Sequence, residues 1–146
     1  MADTVAENVA SYLGGAAVLE REVASDFDLA DLVEDNIPVE SADRVVRVGL
    51  LSAQELYDLV IPRRTLTKRR STSGRLTTEE SDRLVRIVRV LVQAARVFDD
   101  DRNASDWMRR PNRSLGVRRP IDLLATENGA RLVETIIGRI DFGVYS

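Results

Sequence analysis

The sequence has no cysteine and no histidine among its 146 residues. That removes disulfides, thiolate nucleophiles, imidazole bases and the usual zinc ligands. No glycine-rich phosphate loop is present. Acids are plentiful, but none sits in a general acid/base or metal-ligating pattern, and Asp99–Asp100–Asp101 reads as a solvated loop after a helix. The expectation is no catalytic residue, no metal and no cofactor, so a non-enzyme. No apolar run approaches the roughly 20 residues of a membrane span. The opening "MADTVAENVASYLGGAAVLERE" lacks a basic leader ahead of its apolar stretch, which argues against a secretory signal. A soluble, cytoplasmic protein is expected.

What is present suffices for a core. Apolar residues make up 44% of the chain and charged residues 31%, which fits one compact domain or two small packed ones. The net charge of −3 conceals a strong polarity. Residues 1–43 hold eleven acids and one base (Arg21), and residues 44–75 hold eight bases against Glu55 and Asp58. Residues 76–146 are nearly balanced, with twelve bases and eleven acids. A basic block of this kind is either a solvated face or the footprint of a polyanionic partner.

Periodicity is helical almost throughout, and sheet signals are absent, so the fold class expected is an all-α helical bundle. Val5, Val9, Tyr12, Leu13 and Ala16 share one helix face. "SDFDLADLVEDN" reads as a second helix capped by Ser25, with Phe27, Leu29, Leu32 and Val33 inward. After Pro38 a helix carrying Val45, Val46 and Val48 runs to Gly49. Ser52 with Glu55, and Thr77 with Glu80, form capping boxes in which each side chain satisfies an orphan backbone donor. Pro62 suits the first turn of the helix "RRTLTKRR". The longest stripe joins Leu84, Ile87, Val88, Leu91, Ala95 and Phe98. Asn103 and Asp106 suggest a short helix carrying Trp107, and Thr126 caps a last helix with Leu132, Val133, Ile136, Ile137 and Ile140.

Two constellations point to function. In residues 44–76, a helix, the capped helix from Ser52 to Val60 and the helix after Pro62 have helix-turn-helix proportions. The last of these would enter the major groove of DNA and present Arg63, Arg64, Thr65, Thr67, Lys68, Arg69 and Arg70. Arginine forks suit guanine edges, while lysine and threonine more often hold phosphates. Val60 stands where such turns often have glycine. In residues 77–146, the Trp107 segment and the loop "RRPNRSLGVRRP" lead to a final helix. The ending "DFGVYS" is more apolar than a free chain end usually is. It would either fold back onto the core or dock into a partner.

Here the chain resembles a known family. Glu80–Leu84, Phe98, Trp107–Met108, Pro111–Asn112, Leu115–Gly116, Pro120, Leu123–Leu124, Gly129 and the ending Gly143–Val144–Tyr145 look like the toxin-binding domain of Xre/MbcA/ParS-type antitoxins. "IPRRTLTKRR" is similar to the Xre-like helix-turn-helix that precedes that domain. The resemblance spans residues 44–146 and implies a type II antitoxin. Such a protein would bind and block an NAD-consuming RES-domain toxin encoded by the adjacent gene, and with it repress their operon as a homodimer within a larger assembly on operator DNA. Trp107, Arg110, Arg118, Arg119, Phe142, Val144, Tyr145 and Ser146 would then face the toxin. The resulting division is an acidic helical arm (1–43), a DNA-binding region (44–76) and a toxin-binding domain (77–146). The alternative is a plain helix-turn-helix transcriptional regulator whose C-terminal domain only dimerises.

Overall fold

Side-chain caps decide where each helix begins. The computed structural model describes residues 3–141 and residue 143. Among these it has nine α-helices, two short 3-10 turns and no strand, so the chain is all-α as its periodicity implies. Thr4 and Glu7 exchange side-chain and backbone hydrogen bonds to open α1 (Val5–Tyr12), which is followed by the short α2 (Gly15–Leu19). Ser25 and Asp28 do the same for α3 (Asp26–Glu34), and Pro38 precedes α4 (Val39–Arg47). The Ser52–Glu55 box opens α5 (Ala53–Leu59), and Pro62 starts α6 (Arg63–Ser71). The Thr77–Glu80 box opens α7 (Thr78–Phe98). Satisfying two backbone donors at one terminus stabilises it by roughly 1 kcal/mol or more.

The acidic triplet works differently from the sequence reading. Asp99 ends α7 in the left-handed region (φ 51°), and Asp100 caps the next helix, accepting from the N–H groups of Arg102 and Asn103. So α8 (Asp101–Met108) begins within the triplet, ahead of Asn103. The 3-10 turns Arg113–Leu115 and Pro120–Leu123 lead to α9 (Glu127–Asp141). Thr126 caps it by accepting the Gly129 N–H at 3.0 Å.

α7 is the axis of the molecule, and α1, α3, α8 and α9 all pack against it. One apolar stripe was expected on it, but Val85, Val90 and Val92 are buried along with Leu84, Ile87, Val88 and Leu91. A helix apolar on several sides is a central one. The N-terminal arm supplies part of the cover, because Ala6 and Val9 of α1 and Leu29 and Leu32 of α3 are buried in the same cluster. Gly129 sets how closely α9 approaches the preceding turn. A Cβ there would lie 1.9 Å from the Leu123 carbonyl oxygen, so the helix start admits glycine alone.

Four apolar residues expected inside are outside: Phe27 is 83% exposed, Leu132 53% and Val48 49%, and Ala16 is exposed because α1 ends at Tyr12 and Ala16 falls in α2 beyond the left-handed Gly14. On α3 the inward pair Leu29 and Leu32 is three residues apart, and Phe27 precedes Leu29 by two, which points it to the opposite side. Leu132 lies at the edge of the α9 stripe, and Val48 is the residue that terminates α4. Among the described residues, no helix is long and apolar enough to cross a membrane.

Candidate functional site: a basic helix and an arginine-rich loop

The helix-turn-helix is held together by burial and by α7. Leu56, Leu59, Val60, Ile61 and Leu66 are buried. The Arg83 guanidinium on α7 donates to the Val60 carbonyl at 2.9 Å, fixing the turn from behind. Neither Val60 (φ −114°) nor Pro62 (φ −57°) is left-handed, so this turn has no need of glycine.

α6 divides its cations between two faces. Arg63, Arg64, Thr67 and Lys68 are exposed and Thr65 is half-buried. The Thr67 hydroxyl donates to the Arg63 carbonyl at 3.1 Å. Arg69 is turned inward and forks over both oxygens of the buried Glu80, at 3.1 Å each. Burial pushes the Glu80 carboxyl up. The Arg69 guanidinium and the Thr77 N–H more than offset this and hold it below the usual carboxylate range. Arg70 makes a two-bond pair with Asp43 on α4. Of the five cations expected to contact DNA, these two therefore have carboxylate partners inside the protein.

The C-terminal region presents a second cationic surface. Trp107 on α8 is half-buried and stacks at a tilt on Phe98, with centroids 5.5 Å apart. The loop that follows is organised by Asn112. Its side chain accepts from the Ser114 N–H at 2.9 Å, and its backbone carbonyl accepts from Leu115 and Val117. Its own N–H donates to the Arg118 carbonyl at 3.0 Å. Leu115, Pro120, Ile121 and Leu124 root the loop in the core. Arg110 and Arg118 are exposed and donate to the backbone carbonyls of Asp106 and Leu115. Arg119 is paired with Asp122 at 2.8 and 2.9 Å. Phe142, Val144, Tyr145 and Ser146 lie outside the described residues.

Sequence reasoning missed Arg109. Its place in the loop's arginine run suggests a solvent-facing cation, but it faces inward and joins the two regions. Its Nε and Nη2 donate to Glu55 at 2.8 and 3.0 Å, its Nη2 also to the Leu50 carbonyl, and its Nη1 to the Ser105 hydroxyl at 2.7 Å. Burial raises the Glu55 carboxyl. The Arg109 fork and the Ser52 N–H more than offset this and hold it low. No local spacing could reveal a partner 54 positions away. Among the described residues, no cluster of three or more side chains is arranged to hold a metal ion.

Comparison with known proteins gives two adjoining matches. "Antitoxin Xre-like helix-turn-helix domain" matches residues 28–89, and "Antitoxin Xre/MbcA/ParS C-terminal toxin-binding domain" matches residues 93–143. A curated relative, Antitoxin Xre of Yersinia enterocolitica, is 40% identical over 120 residues, 81% of each chain. Antitoxin Xre of Photorhabdus laumondii is 34% identical over 117 residues, 79% of each. A Sphingobium protein named "Prs ADP-ribosylating antitoxin" is 24% identical over 133 residues, 84% of each.

Proposed function

We propose, from the premise that this chain belongs to the Xre antitoxin family, that it neutralises an NAD-consuming RES-domain toxin and represses their shared operon. The name of the Sphingobium relative refers to ADP-ribosylation, and NAD is the usual donor in that chemistry, which supports a toxin that acts on NAD. The observation that carries the reading is that each of the two matched regions presents its own set of exposed cations. One set lies on the outer face of α6, with Arg63, Arg64 and Lys68 exposed. The other lies on the loop after Trp107, within the region that matches a toxin-binding domain.

In this reading residues 44–76 bind operator DNA. Arg63, Arg64, Thr65, Thr67 and Lys68 meet the groove directly, and Arg69 and Arg70 set the position of the helix through Glu80 and Asp43. Residues 77–146 bind the toxin, with Trp107, Arg110, Arg118 and Arg119 at the interface and Phe142, Val144, Tyr145 and Ser146 at the toxin's active-site mouth. Residues 1–43 form the arm that covers α7. The chain works in the cytoplasm as a homodimer, since two half-sites double the contacts one recognition helix can make. The experiment is co-expression with the cognate toxin. Restored growth, co-purification and blocked NAD consumption are expected. A toxin that consumes NAD unimpeded with the purified chain in excess would overturn the reading.

A further inference from the structure

Val117 combines features that local stability does not favour. Its φ is +65°, in the left-handed region that β-branched residues avoid because Cβ meets the backbone. Its side chain is 67% exposed. Gly116 before it is also left-handed, at φ +67°. The loop gives neither residue freedom to relax. The Val117 N–H is bound to the Asn112 carbonyl at 2.9 Å, and the Asn112 N–H is bound to the Arg118 carbonyl. An isopropyl group is thus held in a strained conformation, pointing into water, at the tip of a loop whose base is packed into the core. Glycine or asparagine would satisfy the same backbone without strain.

The same loop carries Arg110, Arg113 and Arg118, all exposed. Among the described residues none of the three has a carboxylate partner. An exposed apolar group on a loop that also carries three exposed arginines fits an apolar recess rimmed by carboxylates, the arrangement of a desolvated anchor inside a polar rim. Strained residues persist where binding uses them.

We propose that Val117 is the apolar anchor of the toxin interface, seated in an acid-rimmed hydrophobic recess on the toxin. This rests on the toxin-binding reading above, and it assigns a role to a residue that composition and motif did not single out. The arginines steer and orient the approach, and the valine is desolvated at the centre.

The test compares Val117→Asn, Val117→Gly and Val117→Ile in the full chain, by titration against the purified cognate toxin and by thermal melting. Val117→Asn and Val117→Gly are expected to melt at or above the wild-type temperature and to bind about tenfold more weakly. Val117→Ile keeps both strain and apolar bulk and is expected to bind within about threefold of wild type. Equal binding by the asparagine and glycine variants, with wild type binding well, would overturn the inference and leave the function intact. Lower melting temperatures with unchanged binding would show that the side chain serves the fold, and would overturn it too. Wild-type protein that fails to bind the toxin would remove the function and the inference together.

Discussion

Arg109, which terminates α8, and Glu55, in the first turn of α5, lie 54 positions apart and meet through two hydrogen bonds of 2.8 and 3.0 Å. Glu55 simultaneously accepts from the Ser52 N–H at 2.8 Å, so the same carboxylate caps the helix and receives the clamp. Only a planar guanidinium can fork over a carboxylate and still reach the Leu50 carbonyl. Arg109→Ala is expected to destabilise the chain by about 1–3 kcal/mol, because it leaves a largely buried carboxylate without its counter-ion. Arg109→Lys should recover only part of that. Urea unfolding measures both, and an unchanged midpoint for Arg109→Ala would mean that the clamp is incidental.

Acid should unfold this protein through Glu55 and Glu80. Both carboxyls are held below their usual range in the folded state. The unfolded chain therefore binds more protons, and the stability they contribute is present above the ordinary glutamate pKa of about 4.3 and lost as pH falls below it. No histidine titrates near neutrality. Unfolding midpoints are expected to stay level between about pH 6 and 8 and to drop below about pH 4.5. Glu55→Gln and Glu80→Gln should each be less stable at pH 7 and lose less on acidification. A midpoint that varies strongly around pH 7 would contradict the assignment.

Local chemistry was the legible part of this chain. The boxes at Ser52 and Thr77 and the cap at Thr126 all form, because each depends on residues three positions apart, while Pro62 stands one residue ahead of α6 as its N-cap rather than in its first turn. The helix-turn-helix spacing was readable for the same reason. Phe27 was misassigned because, with apolar neighbours on several sides, choosing the inward face required knowing that α3 lies on α7. The inward turn of Arg69 and Arg109 was equally hidden, since a cationic run in sequence does not say which members have carboxylates waiting across the fold. The left-handed Val117 carries no sequence mark of its own beyond the glycine before it.

The division of cations on α6 separates two kinds of variant. Arg64→Ala with Lys68→Ala removes exposed charge that has no role in packing. The pair is expected to leave the melting temperature alone, weaken operator binding, and reduce the slope of log affinity against log salt by about two. Arg69→Ala leaves the buried Glu80 uncompensated and should lower the melting temperature more than the change at Arg70 does. Arg70→Ala breaks a half-exposed pair and should cost within about 1 kcal/mol. Salt-dependent binding isotherms beside melting curves make the distinction. A double variant of Arg64 and Lys68 with the wild-type salt slope would remove α6 from the DNA contact.

The tail offers the sharpest separation of the two proposed activities. α9 is anchored by Ala130, Val133, Ile136 and Ile137, all buried and all before Asp141. Ending the chain at Asp141 removes Phe142, Val144, Tyr145 and Ser146 and leaves that anchor whole, so folding and operator binding are expected to persist. An NAD pocket needs apolar and aromatic walls for its rings, and the three apolar residues of the tail suit such walls. Neutralisation should therefore fall by at least about tenfold, an amount that losing one or two well-seated anchors can account for. The comparison is NAD consumption by the toxin in the presence of full-length or shortened antitoxin, each in excess. Equal inhibition by the shortened chain would assign the blocking contact to the Trp107 helix and the arginine-rich loop alone.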